Sequence, residues 1–276
     1  MTETKTVLIT GTSSGIGLAA AVAAAQAGWR VLATMRDTAK AGPLLAAAEA
    51  AGVAGSVEVR RLDVTDPASV DDCLAGLDRL DALVNNAGAG HLGTLEQESV
   101  AEVRAVMEVN FFGVLNVTRA ALPLLRAAKG RLVTVTSVGG VVGQPFNEAY
   151  CAAKFAVEGY LEALAPVAAS VGVSVSVVEP GAVGSEFVAN VGVTDALVEQ
   201  AGPYAPALVN YLARTKEAFA NAQSSADAAA PIVELLAAEH PAFRIQTSEA
   251  ARAFAGIKLA DGDGAKVQAL TAGWIS

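Results

Sequence analysis

Tyr150 and Lys154 stand four residues apart in the run Tyr150-Cys151-Ala152-Ala153-Lys154, a spacing that puts both side chains on one face of a helix. A phenol has an ordinary pKa near ~10 and is a poor base at neutral pH unless a cation stabilises its ionised form. An ammonium one turn away supplies that cation, so the pair is suited to giving a proton to an oxygen or taking one from it. Ser137, at the end of a valine-rich run, can donate to the same oxygen. Taken singly these features are ordinary: a tyrosine and lysine four apart are common on helix surfaces, and a serine after a strand is commonly a cap. His91 has no partner in any motif and reads as a structural residue or a contact at a crevice.

A second chemistry lies near the start of the chain. Thr10-Gly11-Thr12-Ser13-Ser14-Gly15-Ile16-Gly17 separates a strand-like run, Thr6 to Thr10, from a helical stretch, Ile16 to Ala27. Between a first strand and a first helix, backbone N–H groups and the positive helix end meet a dinucleotide pyrophosphate. Glycine is needed there because a side chain would block the approach. Three residues separate the first two glycines, which departs from the common G-x-G-x-x-G fingerprint, so placement carries the reading more than spacing does. A dinucleotide bound there would bring its own reactive group, leaving the protein to orient it and to manage protons, which is work Tyr150 can do.

These side chains need elements to position them. Short runs rich in valine and isoleucine alternate with alanine-rich helical stretches, with strands expected at about Thr6 to Thr10, Arg30 to Met35, Val57 to Leu62, Ala82 to Asn85, Arg131 to Thr136 and Val173 to Val178. Asp66-Pro67 marks a helix start, and Gly28 marks the end of the first helix. Alternation of this kind predicts an α/β fold: a Rossmann-type doubly wound parallel sheet in three layers with right-handed crossovers. No linker, repeat or low-complexity segment divides the chain, which predicts a single domain over 1–276. The stretch from about Gly184 to Ser225 breaks the rhythm after the sixth strand, where insertions overhang the ligand crevice, and is assigned to substrate covering. Its Phe187, Val188, Val191, Val193, Leu197, Tyr204, Leu208, Tyr211 and Phe219 suit an apolar lid, though a stripe of this kind is more often plain core or a dimer contact.

Composition narrows the classes. The 276 residues are 53% hydrophobic and 17% charged with a net charge of -9, which excludes a disordered polyelectrolyte and gives no basic stripe for nucleic acid. Cys73 and Cys151 lie far apart without metal-ligand spacing, which predicts two reduced thiols, no metal site and a cytoplasmic address. The uncharged stretches contain glycine, proline or polar residues and fall short of the ~18 apolar residues of a membrane span. The opening residues run directly into a strand, so no leader segment is expected.

Four further patterns join the glycine turn in order: Asn85-Asn86-Ala87-Gly88, Ser137, Tyr150 to Lys154, and Pro180-Gly181. Together the chain resembles the classical short-chain dehydrogenase/reductase family over roughly Thr4 to Phe243. The stretches Leu32 to Asp37 and Ser137 to Ala156 further resemble its branch of estradiol 17-beta-dehydrogenase type 1 and retinol dehydrogenases. The resemblance implies catalytic roles for Asn110, Ser137, Tyr150 and Lys154, with Asn110 holding a helix kink and a proton-relaying water. It implies cofactor contacts at Gly11, Ser13, Ser14, Gly15, Ile16, Gly17, Arg36, Tyr150 and Lys154, with Asp63 and Val64 at the adenine and Asn86, Ala87 and Gly88 at its ribose. Pro180, Gly181, Val183 and Ser185 follow at the nicotinamide end, Ser185 standing where the family usually has threonine.

Cofactor choice turns on the end of the second strand, where an acid favours NAD and an arginine favours NADP. Asp37 is at a suitable distance for that acid, yet the aligned position is apolar Met35, followed by Arg36; NADP(H) is expected, with NAD(H) as the other choice. The expected activity is hydride transfer between the nicotinamide and a hydrophobic ketone or secondary alcohol of steroid, retinoid or lipid kind. The rival reading is a nucleotide-binding redox sensor without turnover. An isomerase or dehydratase of the extended branch would have different glycine spacing. Self-association into a homodimer or homotetramer is expected through helices at about Val100 to Lys129 and Tyr150 to Ser170.

Overall fold

Strands β1 (Thr6–Thr10), β2 (Arg30–Met35), β3 (Val57–Arg61), β4 (Ala82–Asn85), β5 (Arg131–Val135), β6 (Ser174–Glu179) and β7 (Arg244–Gln246) form one sheet in the order β3-β2-β1-β4-β5-β6-β7. The structure, a computed structural model, describes residues 4–184 and 195–275. Every neighbouring pair is parallel, with Ile9 opposite Ala33 on one side and Val84 on the other. Parallel strands need crossovers, and helices on both faces bury the sheet twice over. The inner strands therefore read as continuous apolar runs.

That double burial is visible residue by residue. Val7 and Ile9 face a core shared with α1 (Gly15–Gln26), α2 (Gly42–Ala50) and the helix Ser225–Ala237, while Leu8 between them faces the opposite core. The opposite core takes in α3 (Pro67–Leu74), α5 (Gly113–Ala128) and α6 (Glu148–Ala169) through Val70, Val117, Leu125, Val157 and Leu161. The expected doubly wound, three-layered single domain is the fold observed.

Two elements differ from the sequence expectation. The helix expected over Val100 to Lys129 is α4 (Val100–Met107), a π-helical turn over Glu108–Phe112, and then α5. A seventh strand, β7, adds to the edge of β6 with Val178 opposite Ile245. Only three residues long, it leaves no periodic trace in the sequence. Among the described residues no helix is long and apolar enough to cross a membrane.

Leu125, with no exposed surface in the second core, sets a stability test. Leu125→Ala is expected to lower the unfolding free energy by about 2–5 kcal/mol in urea titration, whereas Leu45→Ala, at a side chain 45% exposed, is expected to change it by less than about 0.5 kcal/mol.

Candidate active site

The glycine turn closes on β4 through a set of polar contacts. Thr10 Oγ1 accepts from the N–H groups of Asn86 (2.9 Å) and Ala87 (3.0 Å), and Asn86 Nδ2 donates to the carbonyls of Thr10 (2.9 Å) and Gly11 (3.0 Å). Gly11 has φ 71° and Gly15 φ 59°, a region L side chains avoid. A methyl group on Gly17 would collide with the Gly11 carbonyl and the Asn86 amide. Ser14 is the N-cap residue of α1 and makes no side-chain cap bond, and the first turn of the helix carries no acid. The helix end, flanked by half-buried Ser13, Ser14 and Ile16, is thus left to an anion.

The second half of the site is one face of α6 against the end of β5. Tyr150 is hydrogen-bonded to the Ser137 hydroxyl, and Ser137 Oγ also accepts from the N–H of Gly139 at 2.9 Å. Lys154, 4% exposed, donates from Nζ to the Val135 carbonyl at 3.2 Å and stands 5.7 Å from the centre of the Tyr150 ring. Burial pushes the Tyr150 phenol up to about 12, with the Ser137 hydrogen bond pulling the other way. Burial also pushes the Lys154 ammonium down to about 8, and the Glu158 carboxylate opposes that shift. Desolvation is the largest influence on both groups, which the four-residue spacing alone does not reveal.

Asn110 links the two halves. It lies in the π-helical turn, fully buried, where its Nδ2 donates to the carbonyls of Val106 (3.1 Å) and Ala89 (3.0 Å) and its Oδ1 accepts from the N–H of Ala89 (3.1 Å). A side-chain amide inserted into the helix ladder is a sufficient cause of the bulge. At Gly88 a Cβ would lie 2.9 Å from Asn110 Oδ1 and 3.5 Å from Lys154 Nζ, so Gly88, Asn110 and Lys154 meet at one point.

The remaining candidates divide. Met35 is buried, Arg36 is exposed beyond it, and Asp37 Oδ1 accepts from the N–H of Ala39 at 3.0 Å, capping the turn Thr38–Ala41. Asp63 accepts from the N–H (3.0 Å) and hydroxyl (2.8 Å) of Thr65. Burial raises its pKa, but those bonds together with Arg36 and Arg61 hold it below the usual carboxylate value. The Val64 carbonyl accepts from Asn116 Nδ2 at 3.0 Å. Pro180 accepts from the N–H of Val138 through its carbonyl at 3.0 Å, Gly181 packs near Ala251, and Val183 bridges to Gln223. Ser185, with Phe187, Val188, Val191 and Val193, lies outside the described residues. His91 Nε2 lies 3.1 Å from Glu98 Oε1, a pairing the motif reading does not contain.

Of the expected lid residues, Leu208 and Tyr211 are buried in a third core with Phe146 and Trp274, and Leu197 packs against it. Tyr204 is 38% exposed and donates to Glu96 Oε2 at 2.6 Å. The Tyr211 hydroxyl also accepts from Asn147 Nδ2 at 2.6 Å, one residue after the chain turns through φ 58° at Phe146. Thr10 and Glu158 are the site residues the sequence reading passed over. A strand-end threonine carries no distinguishing signal, but Glu158 continues the four-residue series Tyr150, Lys154, Glu158.

This site and fold have counterparts. The short chain dehydrogenase family profile matches residues 5–196. Retinol dehydrogenase 8 of Bos taurus is 39% identical over 272 residues, covering 94% of this chain and 86% of its own. The 17-beta-hydroxysteroid dehydrogenase type 1 of Mus musculus is 40% identical, covering 86% and 72%. A solved short chain dehydrogenase/reductase from Burkholderia phymatum, in complex with NAD, superposes with a TM-score of 0.79 at 25% identity, covering 94% of each chain. The chain therefore belongs to the short chain dehydrogenase family. It is an oxidoreductase of that family, with retinol and hydroxysteroid dehydrogenases among its relatives.

Replacing Asn110 with alanine removes three hydrogen bonds and leaves the backbone N–H and carbonyl of Ala89 without that partner. Asn110→Ala is expected to cost about 2–6 kcal/mol of stability in chemical denaturation, at about 1–3 kcal/mol for each of the two orphaned groups; a loss under about 0.5 kcal/mol would mean the π turn does not depend on this side chain.

Proposed function

We propose that the chain is an NADP(H)-dependent oxidoreductase that transfers a hydride between the nicotinamide and a hydrophobic ketone or secondary alcohol of steroid, retinoid or lipid kind. The observation that carries this reading is the meeting of the Ser137 hydroxyl, the Tyr150 phenol and the buried Lys154 ammonium beside Gly88 and Asn110. They meet outside the carboxyl ends of β4 and β5, where ligands bind in open parallel sheets.

Gly11, Ser13, Ser14, Gly15, Ile16 and Gly17 would hold the dinucleotide at the end of α1, Asp63 and Val64 would serve its adenine, and Asn86, Ala87 and Gly88 its ribose. The uncapped helix end without first-turn acids fits that anion. Pro180, Gly181, Val183 and Ser185 serve the nicotinamide end. When bound, the cofactor supplies the carbon that gives or takes the hydride. Tyr150 holds its proton up to about 12 in the buried site, so at neutral pH it is a donor to a substrate oxygen, and Ser137 holds that oxygen in line. Lys154, at about 8, is mostly charged at neutrality and offsets the negative charge that develops on the phenol oxygen. Asn110 fixes the π turn beside Lys154 and holds the relay water.

NADP(H) over NAD(H) rests on Arg36, exposed past the buried Met35, with Asp37 occupied by its own turn. A charge-assisted contact from Arg36 to a 2′-phosphate, joined by Ser14, contributes about 1.5–3 kcal/mol, roughly ten- to a hundredfold. The Burkholderia phymatum relative was solved with NAD, so the fold itself does not choose. The apolar substrate class is supported by the names of the two curated relatives, with the segment 184–225 as its cover. A sensor without turnover has no need of the Ser137, Tyr150 and Lys154 constellation. Buried free thiols at Cys73 and Cys151 support a reducing, cytoplasmic address. Phe112 at the end of the π turn and Phe155, Tyr160 and Val167 along α6 are exposed, the apolar surface a homodimer or homotetramer would cover.

Two measurements check the reading. With a panel of ketones from aliphatic to steroidal, NADPH is expected to be consumed with a kcat/KM about ten- to a hundredfold above NADH, a preference lost in Arg36→Ala. Tyr150→Phe should lower kcat by ~100-fold or more while nucleotide binding persists. Turnover that survives Tyr150→Phe removes the proton role, and nucleotide binding without turnover of any carbonyl or alcohol moves the sensor ahead. Light scattering at micromolar concentration is expected to give a dimer or tetramer; a monomer there counts against the Phe112 and α6 surface as an interface.

A further inference from the structure

Behind Lys154 lies a buried ionic cluster that the reaction scheme does not use. Glu158, one turn further along α6 and 5% exposed, accepts from Thr136 Oγ1 at 2.5 Å through Oε1 and from Arg244 Nη2 at 3.0 Å through Oε2. Arg244, on β7, also meets Glu179 Oε1 at 2.7 Å and Glu162 Oε2 at 3.0 Å, and the fully buried Glu179 accepts from Gln246 Nε2 at 2.9 Å. Two buried carboxylates thus share one guanidinium. The buried cation beside them, and the only lysine or arginine in the buried class among the described residues, is Lys154.

One face of α6 meets the end of β5 at three points. Tyr150, Lys154 and Glu158 lie on one helical face, and they meet three consecutive residues of the β5 end: Ser137 for Tyr150, the Val135 carbonyl for Lys154, and the Thr136 hydroxyl for Glu158. Glu179 directly precedes Pro180-Gly181, so the same cluster reaches the residues after β6.

We propose that Glu158, anchored by Thr136 and Arg244, is a positioning residue for Lys154: its carboxylate keeps the buried ammonium charged and couples the short edge strand β7 to the site. The inference rests on the role proposed above for Lys154. A buried ammonium loses its proton easily unless a negative charge lies near. Around Lys154 stand Tyr150 and Glu158 four residues away on its own helix, the Val135 carbonyl of β5, and Asn110 and Gly88 on the other side. Glu158 faces Arg244 from β7, Glu179 from β6 and Glu162 from α6. Burial pushes Glu158 up, while Thr136 and Arg244 pull it back toward the ionised form.

The test is an NMR pH titration of the Lys154 Cε and Nζ resonances in the full chain, assigned through Lys154→Met. The wild-type midpoint is expected near about 8. Glu158→Gln keeps the shape and an acceptor for Thr136 but removes the charge, so its midpoint should fall by about one pH unit, tenfold in proton affinity. Glu158→Asp, which sets the charge one methylene back, should fall between the two; if Glu158→Gln does not fold, the wild-type and Glu158→Asp pair carries the test. The alkaline limb of kcat/KM should move down with the midpoint. A merely structural Glu158 lowers Tm and leaves the midpoint in place, and that result overturns the proposal. Full activity in Lys154→Met, with the midpoint shift present, instead overturns the role given to Lys154 and leaves the Glu158–Lys154 coupling standing.

Discussion

A lysine ammonium taken out of water needs acceptors and a nearby negative charge, and the site is arranged around that need at Lys154. The Val135 carbonyl accepts from it, and the Glu158 carboxylate one turn along the same helix favours its charged form. Because α6 repeats the contact at four-residue intervals, the requirement of one buried charge fixes the register of a whole helix face against β5 and sets Tyr150 beside Ser137. That register in turn depends on β5 lying between β4 and β6 and on Val157 and Leu161 entering the core beneath.

A second constraint, at the other end of the crevice, is steric. Gly11 and Gly15 turn through positive φ, and Gly17 packs where a methyl group does not fit, so the first turn can lie flat against Asn86 and Ala87. Thr10 fixes this contact with one hydroxyl accepting two N–H groups. The two ends are joined where Gly88, Asn110 and Lys154 converge. Asn110 reaches that point from within a π turn that its own amide helps to hold, so an irregularity in one helix accompanies the spacing between the glycine turn and the tyrosine. Of the apolar residues suited to a lid, Leu208 and Tyr211 bury their surface against Phe146 and Trp274, as plain core does.

Local pattern made much of this legible. Strands β1, β2 and β4 follow directly from apolar runs that must be buried on both faces, and β3, β5 and β6 differ from the sequence boundaries by a residue at one or both ends. The glycine turn, Asn86 to Gly88, Ser137 and the Tyr150–Lys154 spacing are legible because their chemistry is carried by neighbours in the chain. The three-residue β7 is not, since an edge strand this short has no period to detect, and its stability comes from β6 and from Arg244.

The sequence by itself determined the order of strands and helices, the glycine-lined turn at a helix end, and the helical face shared by Tyr150, Lys154 and Glu158. Those are matters of local periodicity and residue size. Tertiary structure alone decided that Lys154 and Glu158 are buried, that desolvation outweighs the other influences on the Tyr150 phenol, that Asn110 sits in a π turn, and that Arg244, 86 residues beyond Glu158, comes back to meet it. Burial and long-range charge pairing depend on which elements pack together, and no short window of sequence contains that information.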